Sequence, residues 1–389
     1  MPKTPSKKDL GQYFTISETL QKAVFDLVRN KGCLLEPSFG AGHLLTPFLQ
    51  SVPDYPMVCY ELDATVSPVV RFSDAQTVVY GDFLTQTLSE KFPTIVGNPP
   101  YVKQRTGNLY LNFIERCVSL LTDTGELVFI VPSDFLKLTR AALLIEDMQK
   151  VGRFTDFHFP HDERLFEGAT IDVVVFRFQK GAQNNSVKVN GEDKRCVITK
   201  GIVTFRDIGT SIEHRTDQTV ANLFDCYVGL VSGRDKIFKV PFANMAILSD
   251  KERVETFIFA DTFPTEREDI NAHLLEHKVE LMNRKIRRFS EDNWYEWGAP
   301  RNIQHMRRHA GKPCIYVRTL TRKKDVAFAG VVQFFGGGLL CLVPKEDMSV
   351  ESLQSVMEFL NSEAFQKDYL YAGRFKMGHK QLCNALLPD

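Results

Sequence analysis

Asn98-Pro99-Pro100-Tyr101 stands directly after the apolar run Thr94-Ile-Val-Gly97. Two successive prolines fix two φ angles and remove two N–H donors, so the carbonyls of such a turn stay open to bonds from outside. Asn98 adds a side-chain carbonyl and Tyr101 a flat aromatic face. This set suits a planar aromatic amine. Two acceptors take both N–H bonds of an exocyclic NH2 while the ring stacks on the tyrosine. Holding both hydrogens out of plane weakens delocalisation of the nitrogen lone pair and aims it at an electrophile. The plain alternative is a Pro-Pro turn that only closes a strand. The position between an apolar strand and Tyr101 favours the site.

A second group is Glu36-Pro-Ser-Phe-Gly-Ala-Gly42, after Cys33-Leu-Leu. A strand running into a glycine-rich turn and a helix is the edge that nucleotide-like ligands use. The three spaced glycines of a dinucleotide site and the Lys-Ser/Thr of a P-loop are both missing, so a cofactor without a phosphate fits better. Taken alone, this turn is equally well a purely structural one. Two acids then end successive strand-like runs: Glu61 after Met57-Val-Cys-Tyr, and Asp82, followed by Phe83, after Val78-Val-Tyr-Gly. An acid at the second strand's end is placed to bond ribose hydroxyls. An Asp-Phe pair could bond an adenine amine and pack against its ring. Singly, each acid is an ordinary strand end or cap; the ordered series is harder to reach by accident.

These groups need a scaffold that brings strand ends together. Apolar strand-like runs occur at 33–36, 57–62, 77–80, 94–97, 126–131, 155–159 and 172–178, with helical periodicity at 108–121 and 138–151. Such alternation predicts an α/β fold, a Rossmann-like doubly wound sheet with helices on both faces. Near-continuous apolar strands such as Leu127–Val131 fit burial on both faces. A capping box at Thr15–Glu18 predicts a helix before the first strand. The polar loop Gly181–Ser186 predicts a boundary. The expected organisation is a catalytic domain over 1–182, a β-rich connecting segment over 183–240 and a mixed α+β domain over 241–389.

Net charge is zero overall, so placement is more informative than the total. Residues 281–324 carry 12 Lys+Arg against 3 Asp+Glu, while 1–180 carry 18 against 21. A basic stripe behind a near-neutral front half suggests divided labour. Trp294, Tyr295, Trp297 and Tyr316 interleave with it, and Arg374–Lys380 is basic too. Arg301, Arg318, Arg322, Lys323, Arg374 and Lys376 are the candidates for phosphate or base contact, with a solvated face as the alternative for any one of them. Gly229–Lys236 and Gly336–Gly338 read as turns, and His379 as a DNA or structural contact. The eight cysteines are scattered with no CxxC pair, so no metal site is expected. No signal peptide and no membrane-length apolar run is evident, which points to a reducing cytoplasm.

In this order the segments resemble the class gamma adenine-N6 DNA methyltransferases of bacterial type II restriction–modification systems. Lys8-Asp-Leu-Gly-Gln-Tyr-Phe-Thr15 looks like their N-terminal motif, the glycine turn, acids and Asn98–Tyr101 follow in family order, and Asn108–Phe113 and Gly125–Pro132 match further segments. Leu165–Thr170 resembles the segment whose Phe stacks on the target base. The likeness is specific over about residues 8–180 and loose beyond. One departure is Glu36, where many methyltransferases carry Asp. The resemblance implies S-adenosylmethionine as cofactor. Phe14, Thr15, Glu36 and Gly40 would hold its methionine part, Glu61 its ribose, and Asp82 and Phe83 its adenine. It implies a catalytic set of Asn98, Pro99, Tyr101 and Phe166, acting without a metal on an adenine flipped out of double-stranded DNA, in a monomer. A companion restriction endonuclease recognising the same site is compatible with it. Methylation of RNA or of a protein glutamine, which use the same four residues, stays open, as does a DNA-binding protein on an inactive methyltransferase fold. The long block after residue 180, with its concentrated basic stretch at 281–324, favours the DNA enzyme.

Overall fold

The computed structural model describes residues 13–104, 107–136, 138–160, 165–166, 171–199, 202–208, 218–371 and 374–387. Contacts divide the chain into two compact units, Met1–Thr210 with Tyr371–Gly373, and Ser211–Leu370 with Arg374–Asp389. The sequence suggests a boundary at Gly181–Ser186. The structure instead carries the first sheet through that loop, because strands on its far side go on pairing with strands before it.

In the large sheet of the first unit the strands are β1 (Leu34–Glu36), β2 (Met57–Glu61), β3 (Gln76–Tyr80), β4 (Phe92–Gly97), β5 (Leu121–Pro132), β6 (Gly152–His158), β7 (Val173–Lys180), β8 (Ser186–Val189), β9 (Glu192–Thr199) and β10 (Ile202–Asp207). Their order across the sheet is β10-β9-β8-β6-β7-β5-β4-β1-β2-β3. β3, β2, β1, β4 and β5 run parallel, and β7 is antiparallel between β5 and β6. The chain winds outward from β1 through β2 to β3, then crosses to β4 on β1's other side. The crevice at this reversal, outside the strand carboxyl ends, is where such sheets take ligands. Leu127–Val131 of β5 are wholly buried, as strands covered on both faces must be.

The first helix, α1 (Glu18–Leu27), begins two residues later than the capping box implies. Ser17 is its cap, accepting from Leu20 N–H at 3.4 Å, and Thr15 is left for another partner. Within β5, Glu126 accepts from the N–H groups of Arg29 and Asn30, from Thr94 Oγ1 and from Arg177 Nε, the last at 2.6 Å. Both members of the ion pair are buried, so this bond set holds the loop between α1 and β1 to the sheet.

The second unit is mixed α+β. Phe224–Val228, Leu339–Pro344, Pro313–Arg318 and Ala327–Val331 form an antiparallel sheet in that order. A hairpin (Met245–Asp250 with Arg253–Phe257) and helices at Glu268–Glu276, Lys278–Met282, Ile303–Arg308 and Val350–Asn361 accompany it. Among the described residues no helix is long and apolar enough to cross a membrane.

Candidate active site

Glu36 ends β1, Glu61 ends β2, Asp82 follows β3 and Asn98 follows β4, so parallel pairing brings all four to one edge of the sheet. Asn98 is fixed from both sides. Its Nδ2 donates to the Tyr13 carbonyl at 2.8 Å and to Thr15 Oγ1 at 3.0 Å. Its Oδ1 accepts from the Tyr101 hydroxyl at 2.5 Å. Both amide hydrogens are therefore engaged, and a carboxamide oxygen keeps a second lone pair for an outside donor. The Pro99 carbonyl accepts no hydrogen bond from another described residue. Burial, helped by Tyr110 and Tyr13 nearby, pushes the Tyr101 hydroxyl well above its ordinary pKa, so it stays a donor.

Asn98 borders a cavity of about 260 Å³, part of it open to solvent, walled by Tyr13–Thr15 and by the turn after β1. Gly40 sits there at φ 56°, and a Cβ on it would stand 3.0 Å from the Phe14 ring. Its N–H donates to Glu61 Oε2 at 2.8 Å, while Glu61 Oε1 takes the N–H of Asp63 at 2.8 Å, so Glu61 braces the glycine turn. Glu36 is 1% exposed. Burial raises its carboxyl to about 8, opposed by the Ser38 N–H and reinforced by Glu61. A Cβ on Gly97 would stand 3.0 Å from the Phe129 ring and 3.2 Å from Glu36 Oε1, so a glycine ends β4 where both need room. His43, which burial shifts down, has an Nδ1 buried with no hydrogen-bond partner.

Of the expected cofactor residues, Phe14, Thr15, Glu36 and Gly40 line this cavity with Asn98. Asp82 is exposed and caps a short turn through Leu84 N–H. Phe83 is 2% exposed, with Phe113 stacked on it and the Arg116 guanidinium over its ring, and it does not line this cavity. Phe166 does meet Tyr101, edge-on at 6.3 Å. Tyr13 is the residue the sequence did not single out. It stacks on Tyr101 at 5.7 Å and lies edge-on to Phe166 at 6.0 Å. His43, one residue past the glycine turn, was also missed. Residues 8–12 of the N-terminal motif and 167–170 of the Phe166 segment lie outside the described residues.

In the second unit the basic stretch sorts into two kinds. Arg318 is a correction: it is 4% exposed and bonds Asp250 Oδ1 at 2.7 Å, so it is structural. Lys323 bonds the same carboxylate at 2.7 Å, and Arg284 is buried against four backbone carbonyls. The interleaved Trp294, Trp297 and Tyr316 are core, 3%, 2% and 0% exposed. Arg301 is exposed and makes no ion pair among the described residues. Strand register brings two separate basic segments together. Leu320 pairs with Lys376 and Thr321 with Phe375, which sets exposed Arg322 beside Arg374. Gly229 packs backbone to backbone on Gly336, and His379 Nε2 meets the Cys226 carbonyl at 2.9 Å.

The strand order, the antiparallel β7 and the cavity after β1 define the Rossmann-like methyltransferase class, whose cofactor is S-adenosylmethionine. The cavity fits that group: the unsatisfied His43 Nδ1 and the Glu36 carboxyl face a turn in which Gly40 leaves room. Part of the chain is similar to restriction–modification methylases. The Eco57I restriction-modification methylase family model matches residues 70–161, which include Asp82 and Asn98–Tyr101. Type II methyltransferase M.HincII of Haemophilus influenzae is 26% identical over 217 residues, 50% of this chain and 42% of its own. M.TthHB8I of Thermus thermophilus is 29% identical over 211 residues, 47% and 48% of the two chains. The match thus spans less than half of each relative's length. Among solved structures, a nuclease-deletion mutant of the type ISP restriction-modification enzyme LlaGI with a DNA substrate mimic aligns at TM-score 0.49 and 12% identity, over 92% of this chain and 50% of that one.

Proposed function

We propose that this chain methylates N6 of adenine at a specific site in double-stranded DNA, as a class gamma enzyme of a restriction–modification system. The observation that carries the reading is the Asn98 carboxamide, held by Tyr13, Thr15 and Tyr101 at the border of the cofactor cavity. Bound S-adenosylmethionine supplies an electrophilic methyl on a sulfonium. The chain's own part is to hold an amine beside it. Asn98 Oδ1 and the Pro99 carbonyl accept the two N–H bonds, which turns the nitrogen lone pair toward the cavity. Geometry and exclusion of water are the main contributions. Extruding a base from duplex costs a few kcal/mol. Stacking on Tyr101, with Phe166 edge-on, offsets this by roughly 1–3 kcal/mol. Tyr13 covers the Tyr101 ring in this structure, so it shifts when a base enters. The DNA-facing groups in this reading are Arg301, Arg322, Arg374 and Lys376.

The experiment is transfer of tritiated methyl to DNA, RNA and release factor in parallel, with long-read mapping of the modified base. Label on adenine N6 in DNA at one repeated sequence is expected, lost in Asn98→Ala while cofactor binding persists. Label on RNA or protein alone, or an active Asn98→Ala, overturns the reading.

A further inference from the structure

His273, Glu276 and His277 lie in the second unit, apart from every group discussed above. One ligand atom from each lies within 4.8 Å of the other two. The spacing explains this. Helical residues at i, i+3 and i+4 share one face, and the helix Glu268–Glu276 carries the first two while His277 caps it. His273 Nε2 is 2.8 Å from the Ile237 carbonyl oxygen. A carbonyl only accepts, so Nε2 carries the proton and Nδ1 keeps its lone pair. An imidazole oriented through its second nitrogen in this way is the usual partner of a metal ion. Phe242 packs edge-on against the same ring at 5.5 Å, and the His277 ring lies 4.8 Å away at 69°. Both histidines are half-buried and Glu276 is exposed, so the group is braced from beneath and open above. The neighbouring cation, Lys278, is drawn to Glu291 at 2.5 Å and does not fill the position.

We propose that His273, Glu276 and His277 bind one divalent cation of the zinc class, with water completing its coordination. Two imidazoles and one carboxylate suit zinc, copper or nickel, whereas magnesium and calcium need oxygen donors throughout. The bound ion ties the helix Glu268–Glu276 to the turn that leads into Lys278–Met282, and through His273 to Ile237.

The test uses the full chain and zinc sulfate. Calorimetry should give one site of about micromolar Kd, weakened roughly tenfold or more in His277→Ala and in the exposed variant Glu276→Gln. Zinc should also raise the melting temperature of the parent and not of His277→Ala, with both melting alike in EDTA. Free thiols are the rival ligands, and Cys226 and Cys383 share this unit. Cobalt(II) separates the cases, because thiolate ligation gives an intense near-ultraviolet charge-transfer band that an imidazole–carboxylate site lacks. Absence of binding at about 100 μM zinc, equal affinity in the parent and both variants, or the thiolate band as the sole cobalt signal overturns the proposal.

Discussion

Glu36→Gln tests the buried carboxyl directly. Burial lifts that group from 4.5 to about 8 in the folded chain. Below pH 4.5 both folded and unfolded chains hold the proton, and the group adds no pH dependence. Between 4.5 and about 8 the unfolded chain has lost the proton and the folded chain has not. The folded state then binds more protons, so stability falls as pH rises. At about 1.4 kcal/mol per pH unit, this interval amounts to about 5 kcal/mol, nearly all of it lost by pH 9. Glutamine keeps an acceptor for Ser38 N–H and cannot ionise, so the variant escapes the loss. A unit of this size shifts by about 2–4 °C per kcal/mol. The melting temperature of Glu36→Gln minus that of the parent, from calorimetry without cofactor, should rise by about 10 °C between pH 5 and pH 9. Other titrations cancel in that difference. A difference that stays constant across the range refutes the reasoning.

The same carboxyl predicts that binding cationic S-adenosylmethionine at pH 7 expels up to about one proton, visible as a dependence of binding heat on buffer ionisation enthalpy; S-adenosylhomocysteine, lacking the sulfonium charge, should expel less, and Glu36→Gln none. Tyr101→Phe removes one neutral hydrogen bond to Asn98, about 0.5–1.5 kcal/mol, so single-turnover methylation should slow by about 2–10-fold and not vanish. Tyr13→Ala uncovers the Tyr101 ring, so 2-aminopurine at the target position should be quenched more strongly than in the parent; unchanged quenching removes Tyr13 from the base's path. Arg318→Ala removes a buried guanidinium from Asp250, which is partly exposed and keeps Lys323, and should cost about 1.5–3 kcal/mol in denaturant unfolding of the second unit. Arg301→Ala, by contrast, should leave unfolding unchanged and lower the salt slope of DNA binding by about 1.

The sheet was legible because its strands are nearly all apolar and its turns carry Gly, Pro and acids at their ends. Each of β1 to β7 falls within a few residues of its expected run. The edge strands β8 to β10 were not assigned to this sheet. They are short or polar, and only pairing partners far back in the sequence decide where they belong. At the site, Asn98, Glu36 and Gly40 were legible from residue type and spacing, and the cavity does gather them. Phe83 marks what residue type leaves open, because an aromatic after an acid reads the same whether it faces a ligand or the Phe113 side of the core. Arg318 and Trp294 misled for a related reason: a sequence gives charge and ring but not depth. Tyr13 was hidden inside a motif read for its neighbours, and His273–His277 only becomes a group once the helix register is imposed.

The Asn98 carboxamide takes its bearings from a stretch some eighty residues upstream. Oxygen and nitrogen on that group are nearly the same size, and the Tyr13 carbonyl, which can only accept, is what tells them apart. A product started late, without its first fifteen residues, would retain every strand of the sheet and the four-residue signature itself. Its amide would be free to turn over, presenting a donor where the incoming amine needs an acceptor. Such a product would be an intact scaffold with its polarity scrambled at a single atom pair.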